Sequence, residues 1–148
     1  MKNLVIGQSG GPTAVINASL YGAVKAFRES GADGHVLGMI NGIEGFLADH
    51  VMDLSTDLSD KELELLKLTP AAYLGSCRYK LPADLDSEVY PAIFDNFREM
   101  NIGYFLYVGG NDSMDTVDKL SRYAEKIGSD VKFIGIPKTI DNDLVLTD

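Results

Sequence analysis

The sequence lacks several features that would assign a class at once. It has one cysteine, Cys77, and two histidines, so an internal disulfide is excluded and a Cys/His zinc site is not expected. No window approaches the roughly 18 uncharged apolar residues of a membrane-spanning helix. Residues 1–7 are too short and too soon interrupted by glycine for a signal peptide. A lone cysteine suits a reducing compartment, so we expect a cytoplasmic protein.

Basic residues are also scarce. Thirteen lysines and arginines stand against 22 acidic residues, which gives a net charge of −9. This charge repels nucleic acid, anionic membranes and phosphorylated small molecules alike, so we expect neither nucleic acid nor a membrane as partner. A phosphate site in this chain would need local cations, helix N-termini or a metal ion.

Apolar residues make up 45% of the 148 residues, enough for the core of one domain. Short apolar runs alternate with amphipathic helical patterns, which predicts an α/β fold with a mainly parallel sheet and helices on both faces. Strands are expected at residues 3–7, 34–40, 51–54, 103–108 and 131–136. Helices are expected at residues 14–30 and 43–48. A third begins at a Ser59 capping box and runs to residue 67, and a fourth begins at an Asp86 or Ser87 cap and runs to residue 100. A fifth follows the diglycine and runs to residue 127.

The most informative stretch is Val-Gly-Gly-Asn-Asp-Ser at residues 108–113. It follows a buried strand pattern and precedes a helix with apolar residues from Met114 to Ile127. The glycines let the backbone approach closely, and the first free N–H groups of the helix point at an anion. Asp112, however, places a carboxylate where a phosphate site usually has none.

Two further loops should meet this one, because the carboxyl ends of parallel strands share an edge where ligands bind. The loop at residues 7–13 offers Gly10 and Gly11 to a phosphate, although a plain tight turn explains them equally well. The loop at residues 137–143 contains Lys138, a point charge for phosphate, and Thr139, a hydroxyl donor.

Two carboxylates in that last loop, Asp141 and Asp143, are suited to a hard cation or to base chemistry. A solvated acidic turn is the plainer interpretation of such a pair taken alone. Arg78, with Lys80 beside it, is either a bidentate phosphate contact or a surface cation. His35, His50 and Cys77 are interpreted as structural or solvated.

Together these segments resemble the phosphofructokinase family, in the family's order along the whole chain. The segments are Ser9-Gly10-Gly11, Gly75-Ser76-Cys77-Arg78, Gly109-Gly110-Asn111-Asp112-Ser113 and residues 137–143. The resemblance implies a Rossmann-like three-layer domain, and it implies that residues 1–148 are the N-terminal, phosphoryl-donor-binding domain of a longer enzyme. The C-terminal sugar-phosphate domain would be absent, and we expect the 148-residue piece alone to be inactive.

The family transfers a phosphoryl group to the 1-hydroxyl of fructose 6-phosphate, and it has an ATP-using and a pyrophosphate-using branch. ATP enzymes carry glycine at the two positions that Asp112 and Lys138 occupy here, so the chain looks like the pyrophosphate branch. The implied reaction is reversible and belongs to glycolysis. The implied assembly is a homo-oligomer, a dimer or tetramer, of the full-length enzyme.

The resemblance also implies residue roles. Asp141 would be the general base, Lys138 and Asp112 would select the donor, and Thr139 and Asp143 would position substrate. Phosphate contacts would come from Gly11, Arg78, Gly110 and Ser113. The cofactor would be Mg²⁺. The family commonly has aspartate where this chain has Asn111, so either Asn111 orients a metal-bound water or Asp143 and the pyrophosphate hold more of the metal.

Three alternatives stay open. An ATP-dependent kinase of the same family is the nearest. A non-catalytic phosphate-binding regulatory module is favoured by Asn111 alone. A structural domain that resembles a kinase only in its turns is the third.

Overall fold

A computed structural model describes residues 2–9, 14–66, 73–75 and 79–137. These residues form one five-stranded sheet with the order β3-β2-β1-β4-β5. The strands are β1 (Asn3–Gln8), β2 (Val36–Met39), β3 (Val51–Asp53), β4 (Ile102–Gly109) and β5 (Lys132–Pro137). Every pairing is parallel except that of β3 with β2. The predicted mainly parallel sheet is confirmed.

Helices cover both faces of this sheet. They are α1 (Ala14–Glu29), α2 (Gly42–Leu47), α3 (Asp60–Leu66), α4 (Val89–Glu99) and α5 (Asn111–Ile127). Residues of α1 and α3 join one hydrophobic cluster, and residues of α2, α4 and α5 join the other. The three-layer α/β arrangement expected from the sequence is therefore present.

The strands separate the two clusters by their alternation. In β4, Phe105 and Tyr107 face the α4 and α5 side, whereas Leu106 and Val108 face the α1 side. Side chains of successive strand residues point to opposite faces, so a strand that is apolar on both sides serves two cores at once. The continuous apolar runs of the sequence reflect this double burial.

Two helix boundaries follow the predicted local chemistry. The Ser59 hydroxyl oxygen accepts the N–H of Glu62 at 3.1 Å, and the same hydroxyl donates to Glu62 Oε1 at 3.0 Å. This is the expected side chain to backbone bond at the start of α3, with the glutamate folded back on the serine. Helix α5 ends at Gly128, whose φ of 71° is the left-handed conformation that glycine adopts without strain.

Other boundaries differ from the prediction. Helix α4 is preceded by Glu88, whose own side chain makes no cap. Of the two predicted caps, Ser87 Oγ accepts the N–H of Val89 at 3.5 Å, whereas the carboxylate of Asp86 pairs with Lys126 of α5. Strand β2 is shorter than residues 34–40, since the N–H of His35 is taken by the Asn3 side chain at 2.8 Å. Ile127, expected on the buried face of α5, is 43% exposed.

No helix in the described part of the chain is long and apolar enough to cross a bilayer.

Gly45 allows the turn between β2 and α2 to close. A Cβ at this position would lie 1.5 Å from the carbonyl oxygen of Ile40, a backbone atom that cannot rotate away. We expect Gly45→Ala to lower the free energy of unfolding by roughly 1–3 kcal/mol, measured by denaturant unfolding. The control is Gly22→Ala, where no described atom lies within 4 Å of the new Cβ and a gain of about 0.5–1 kcal/mol is expected. Equal effects of the two changes would contradict this account.

Candidate active site

The candidate site lies where β4 passes into α5. Gly110 is the N-cap residue, in an extended conformation with φ −86° and ψ −154°, and it has no side chain to cap the helix. Its carbonyl oxygen accepts the N–H groups of Ser113 and Met114, each at 3.1 Å. The N–H groups of Asn111 and Asp112 precede any intrahelical acceptor, so they are suited to an anion or to water.

Gly109 brings this turn against the loop that follows β1. A Cβ on Gly109 would lie 2.0 Å from Ser113 Oγ and 2.9 Å from the carbonyl oxygen of Ser9. The N–H of Ser9 donates to the carbonyl oxygen of Val108 at 2.8 Å, just beyond the paired strands. The glycine is therefore needed for close approach, and two of the three predicted loops begin side by side.

The third loop starts from the same place. Pro137, the last residue of β5, is paired with Gly109 in the sheet. Lys138, Thr139, Asp141 and Asp143 lie outside the described residues, as do Gly11 and Arg78. The described chain thus enters the third loop beside the diglycine, as the shared-edge argument requires.

Ser113 is the one buried side chain of the described residues with an unpaired polar atom. It is 2% exposed, and its Oγ has no hydrogen-bond partner there. A buried hydroxyl without a partner costs about 1–3 kcal/mol, so such groups are rare in proteins. This unpaired hydroxyl lies in the first turn of α5, where the site would receive an anion.

Asn111 and Asp112 are exposed on the same turn. The Asp112 side chain is 76% exposed, and its Oδ1 lies 3.6 Å from Lys80 Nζ. Both residues present oxygen atoms of the kind that Mg²⁺ prefers. Among the described residues, however, no group of three or more His, Cys, Asp or Glu side chains could hold a metal ion.

A buried amide cluster holds the chain that leads toward Arg78. Gln8 Oε1 accepts the N–H of Leu74 at 2.8 Å, and Asn17 Oδ1 accepts the N–H of Tyr73 at 2.8 Å. The two amides also bond to each other at 3.2 Å and are completely buried. The sequence reasoning missed both, although an amide at a strand's carboxyl end and an Asn within an apolar helix face were visible signals.

The chain beyond Arg78 is anchored as well. The carbonyl oxygen of Leu81 accepts Lys119 Nζ at 2.9 Å, and the Tyr90 hydroxyl donates to the carbonyl oxygen of Pro82. Burial, and then the negative charge of Asp115, raises the pKa of Tyr90, so the donor stays protonated. Both flanks of residues 76–78 are therefore fixed to the domain.

His35 lies away from this edge. His35 precedes β2 at the opposite end of the sheet, with Nδ1 2.8 Å from Asp53 Oδ2. Burial acts to raise the pKa of Asp53, but hydrogen bonds from Ser55 and the neighbouring His35 outweigh it and hold that pKa below its ordinary value. The interaction ties β2 to β3, which agrees with the structural role expected for His35.

A cavity of about 530 Å³ also lies at the opposite edge, between the C-terminal ends of α4 and α5. Its lining includes Phe94, Arg98, Asn101 and Asp130. It contains none of the predicted site residues, and ligands of parallel sheets bind at the carboxyl edge. We therefore place the candidate site at the α5 N-terminus.

The unpaired Ser113 hydroxyl generates a stability prediction. Ser113→Ala removes a buried group that lacks a partner, so we expect the free energy of unfolding without ligand to rise by about 1 kcal/mol. The control is Thr116→Val one turn later, where a hydroxyl donating to the carbonyl oxygen of Asp112 at 3.1 Å is lost and stability should fall. Denaturant unfolding without phosphate measures both; a fall for both variants would show that Ser113 is already satisfied.

The chain matches the family model for phosphofructokinase over residues 3–148. It is 44% identical, over 99% of its length, to the pyrophosphate–fructose 6-phosphate 1-phosphotransferase of Halomonas elongata, and 43% identical, over 98%, to that of Rhodospirillum rubrum. The pyrophosphate-dependent phosphofructokinase structure from Nitrosospira multiformis superposes with a TM-score of 0.87 at 41% identity, covering 99% of this chain and 36% of that one. The chain spans 35% of the length of these curated relatives. Over that length, it belongs to the phosphofructokinase family.

Proposed function

We propose that the full-length protein transfers a phosphoryl group from pyrophosphate to the 1-hydroxyl of fructose 6-phosphate. The products are fructose 1,6-bisphosphate and phosphate, and the reaction is reversible. The observation that carries the choice of donor is the exposed carboxylate of Asp112 in the first turn of α5. The names of the similar relatives, which are pyrophosphate-dependent enzymes, support it.

Asp112 disfavours a nucleotide by charge and by space. Under the family resemblance it occupies the position of a nucleotide's α-phosphate. Two negative charges about 4 Å apart repel by about 1 kcal/mol in water and by about 4 kcal/mol at an effective dielectric constant near 20. Pyrophosphate has no third phosphate to place there, so the carboxylate discriminates against ATP more than it weakens pyrophosphate.

The phosphate-binding part of the proposal rests on the first turn of α5. Its N–H groups and the Ser113 hydroxyl would contact phosphate oxygens, and Gly110 leaves room for them. Gly11 and Arg78 are proposed to add further contacts from the two neighbouring loops. Such fixed donors act mainly by positioning and by stabilising charge, which is how phosphoryl transfer is catalysed.

The chemical step is proposed for the loop after β5. Asp141 accepts the proton of the sugar 1-hydroxyl. The hydroxyl oxygen bonds to phosphorus as the bond between phosphorus and the leaving phosphate breaks. Lys138 stabilises the negative charge of the transferring group, and Thr139 and Asp143 orient it. Mg²⁺, when bound, neutralises charge on the phosphates. Asn111 and Asp143 would offer it oxygen ligands, with pyrophosphate completing the set.

In this proposal residues 1–148 form the phosphoryl-donor-binding domain, and the sugar phosphate is held largely by chain outside them. The relatives' greater length supports this division. A cytoplasmic homo-oligomer, a dimer or tetramer, is part of the proposal.

An ATP-dependent kinase is the second candidate function, and a donor comparison on the full-length protein separates the two. We expect pyrophosphate to support turnover and ATP to support little. Asp112→Gly combined with Lys138→Gly should lower kcat/KM for pyrophosphate at least about tenfold, which corresponds to about 1.4 kcal/mol. Asp118→Gly, on the exposed side of the same helix, controls for the weakening of a helix by glycine. Unchanged pyrophosphate activity in the double variant would refute the role of Lys138, and unchanged discrimination between pyrophosphate and ATP would refute that of Asp112.

The non-catalytic alternative, for which Asn111 is the only support, predicts that the full-length protein shows no turnover. We expect Asp141→Ala in the full-length protein to reduce kcat about 10²- to 10⁴-fold, the usual contribution of a general base. The circular dichroism spectrum and thermal midpoint should be unchanged. If the variant retains full turnover, another group takes the proton.

A further inference from the structure

The backbone at Tyr73 and Leu74 is bonded to three different elements. The Leu74 N–H donates to Gln8 Oε1, at the end of β1, at 2.8 Å. The Leu74 carbonyl oxygen accepts the N–H of Asn41, just after β2, at 2.8 Å. The Tyr73 N–H donates to Asn17 Oδ1, on α1, at 2.8 Å. The segment is therefore fixed at the carboxyl edge of the sheet.

The two amide side chains also orient each other. Gln8 Nε2 donates to Asn17 Oδ1 at 3.2 Å, and both side chains are completely buried. An amide has an acceptor oxygen and a donor nitrogen, so its orientation decides which groups it can serve. Here both oxygen atoms accept backbone N–H groups of the same segment, which sets one placement for that backbone.

Packing alone does not call for two buried amides here. Leu74 is 1% exposed, and its side chain lies so close to Gly38 of β2 that a Cβ there would be 2.8 Å away. Apolar side chains at positions 8 and 17 would fill the same space without taking two amides out of water. What they could not do is accept the N–H groups of Tyr73 and Leu74. The amides therefore specify the position of this backbone rather than add to the core.

This position matters because Arg78 follows closely. Gly75 has a φ of 73°, and a Cβ on it would lie 2.2 Å from Asn41 Oδ1, so the turn toward Arg78 also fits tightly. Arg78 comes three positions later, and the chain is held again at Leu81 by its bond to α5. A shift of the backbone before Gly75 would be passed on to Arg78 over these few residues.

We propose that Gln8 and Asn17 are positioning residues of the donor site, which hold the backbone before Arg78 so that its guanidinium group meets a phosphate of pyrophosphate. A guanidinium group binds phosphate through two parallel hydrogen bonds, so its contact depends strongly on position. The two buried amides act through the backbone of Tyr73 and Leu74. This inference rests on the proposed function, in which Arg78 contacts the donor.

The test uses the full-length protein with Gln8→Met and, separately, Asn17→Leu. Each change keeps the size of the side chain and removes the oxygen that accepts a backbone N–H. We expect either variant to raise KM for pyrophosphate about tenfold, because Arg78 is no longer held in place. The KM for fructose 6-phosphate should change little. A folded variant of either kind with the wild-type KM for pyrophosphate would overturn the proposal.

The matched control is Asn3→Leu, at the other end of β1. Asn3 Nδ2 donates to the carbonyl oxygen of Met100 at 2.7 Å, and its Oδ1 accepts the N–H of His35 at 2.8 Å. This amide also joins two connections of the sheet, but at the edge away from the site. Asn3→Leu should lower the thermal midpoint and leave KM for pyrophosphate unchanged. An equal rise of KM in Asn3→Leu would show that stability, not position, causes the effect.

A double-mutant cycle tests whether Gln8 acts through Arg78. If it does, adding Gln8→Met to Arg78→Met should lower kcat/KM for pyrophosphate by less than about twofold, since the contact to be positioned is already lost. Effects of the two changes that multiply in full would show that Gln8 acts on the donor by another route and would contradict the proposal.

A further measurement needs no variant. Hydrogen–deuterium exchange at the Tyr73 and Leu74 amides is measured in the full-length wild-type protein with and without magnesium pyrophosphate. We expect slow exchange in both states, because buried amides already hold these N–H groups. Fast exchange that slows only after pyrophosphate is added would show that the ligand orders the segment.

The outcomes separate the two proposals. A wild-type protein that does not use pyrophosphate refutes the proposed function itself. A wild-type protein that uses pyrophosphate, with Gln8→Met and Asn17→Leu behaving like Asn3→Leu, refutes only the positioning role of the two amides.

Discussion

The parallel pairing of β1 with β4 is the constraint on which the site depends. The register places Gln8 opposite Val108, and the bond from the Ser9 N–H to the Val108 carbonyl oxygen continues the pairing past the strands. Both strands are buried on two faces, so a slip of one residue would exchange the side chains of the two cores. The loops at the carboxyl edge inherit this fixed register. It brings Ser9 and Ser113 so close to residue 109 that only glycine fits there.

The buried polar groups near this edge differ in whether they have hydrogen-bond partners within the described chain. Gln8 and Asn17 are fully buried and bond to each other and to the chain at Tyr73 and Leu74. These bonds fix the backbone at Tyr73 and Leu74. Ser113 has no such partner among the described residues. The contrast separates the buried support at Gln8 and Asn17, which is hydrogen-bonded, from the first turn of α5, where this hydroxyl is not paired within the described chain.

The sequence predicted those parts of the structure that depend on near neighbours. The strand, diglycine and helix of residues 102–127 follow from local periodicity and turn chemistry, as do the Gly128 stop and the Ser59 cap. The hydrogen-bond partners of Gln8 and Asn17 were not predicted, since Tyr73 and Leu74 lie tens of residues away and meet them only in the tertiary fold. Of the two caps predicted for α4, Ser87 accepts the first helical N–H, whereas Asp86 has a distant partner in Lys126. Residues 110–113 were placed correctly at one edge, and the assignments to the loop after β5 stay predictions.

The electrostatic free energy of the Asp112 carboxylate depends on whether the site is occupied. In the free protein its carboxylate faces water, lies at the positive end of the α5 dipole and has Lys80 nearby, so its charge is well tolerated. A phosphorylated donor displaces that water and lowers the local dielectric, which strengthens every charge interaction around the carboxylate. Under the proposed function, repulsion of a misplaced phosphate therefore grows on binding. A carboxylate that barely affects the folded domain would in this way select the phosphoryl donor.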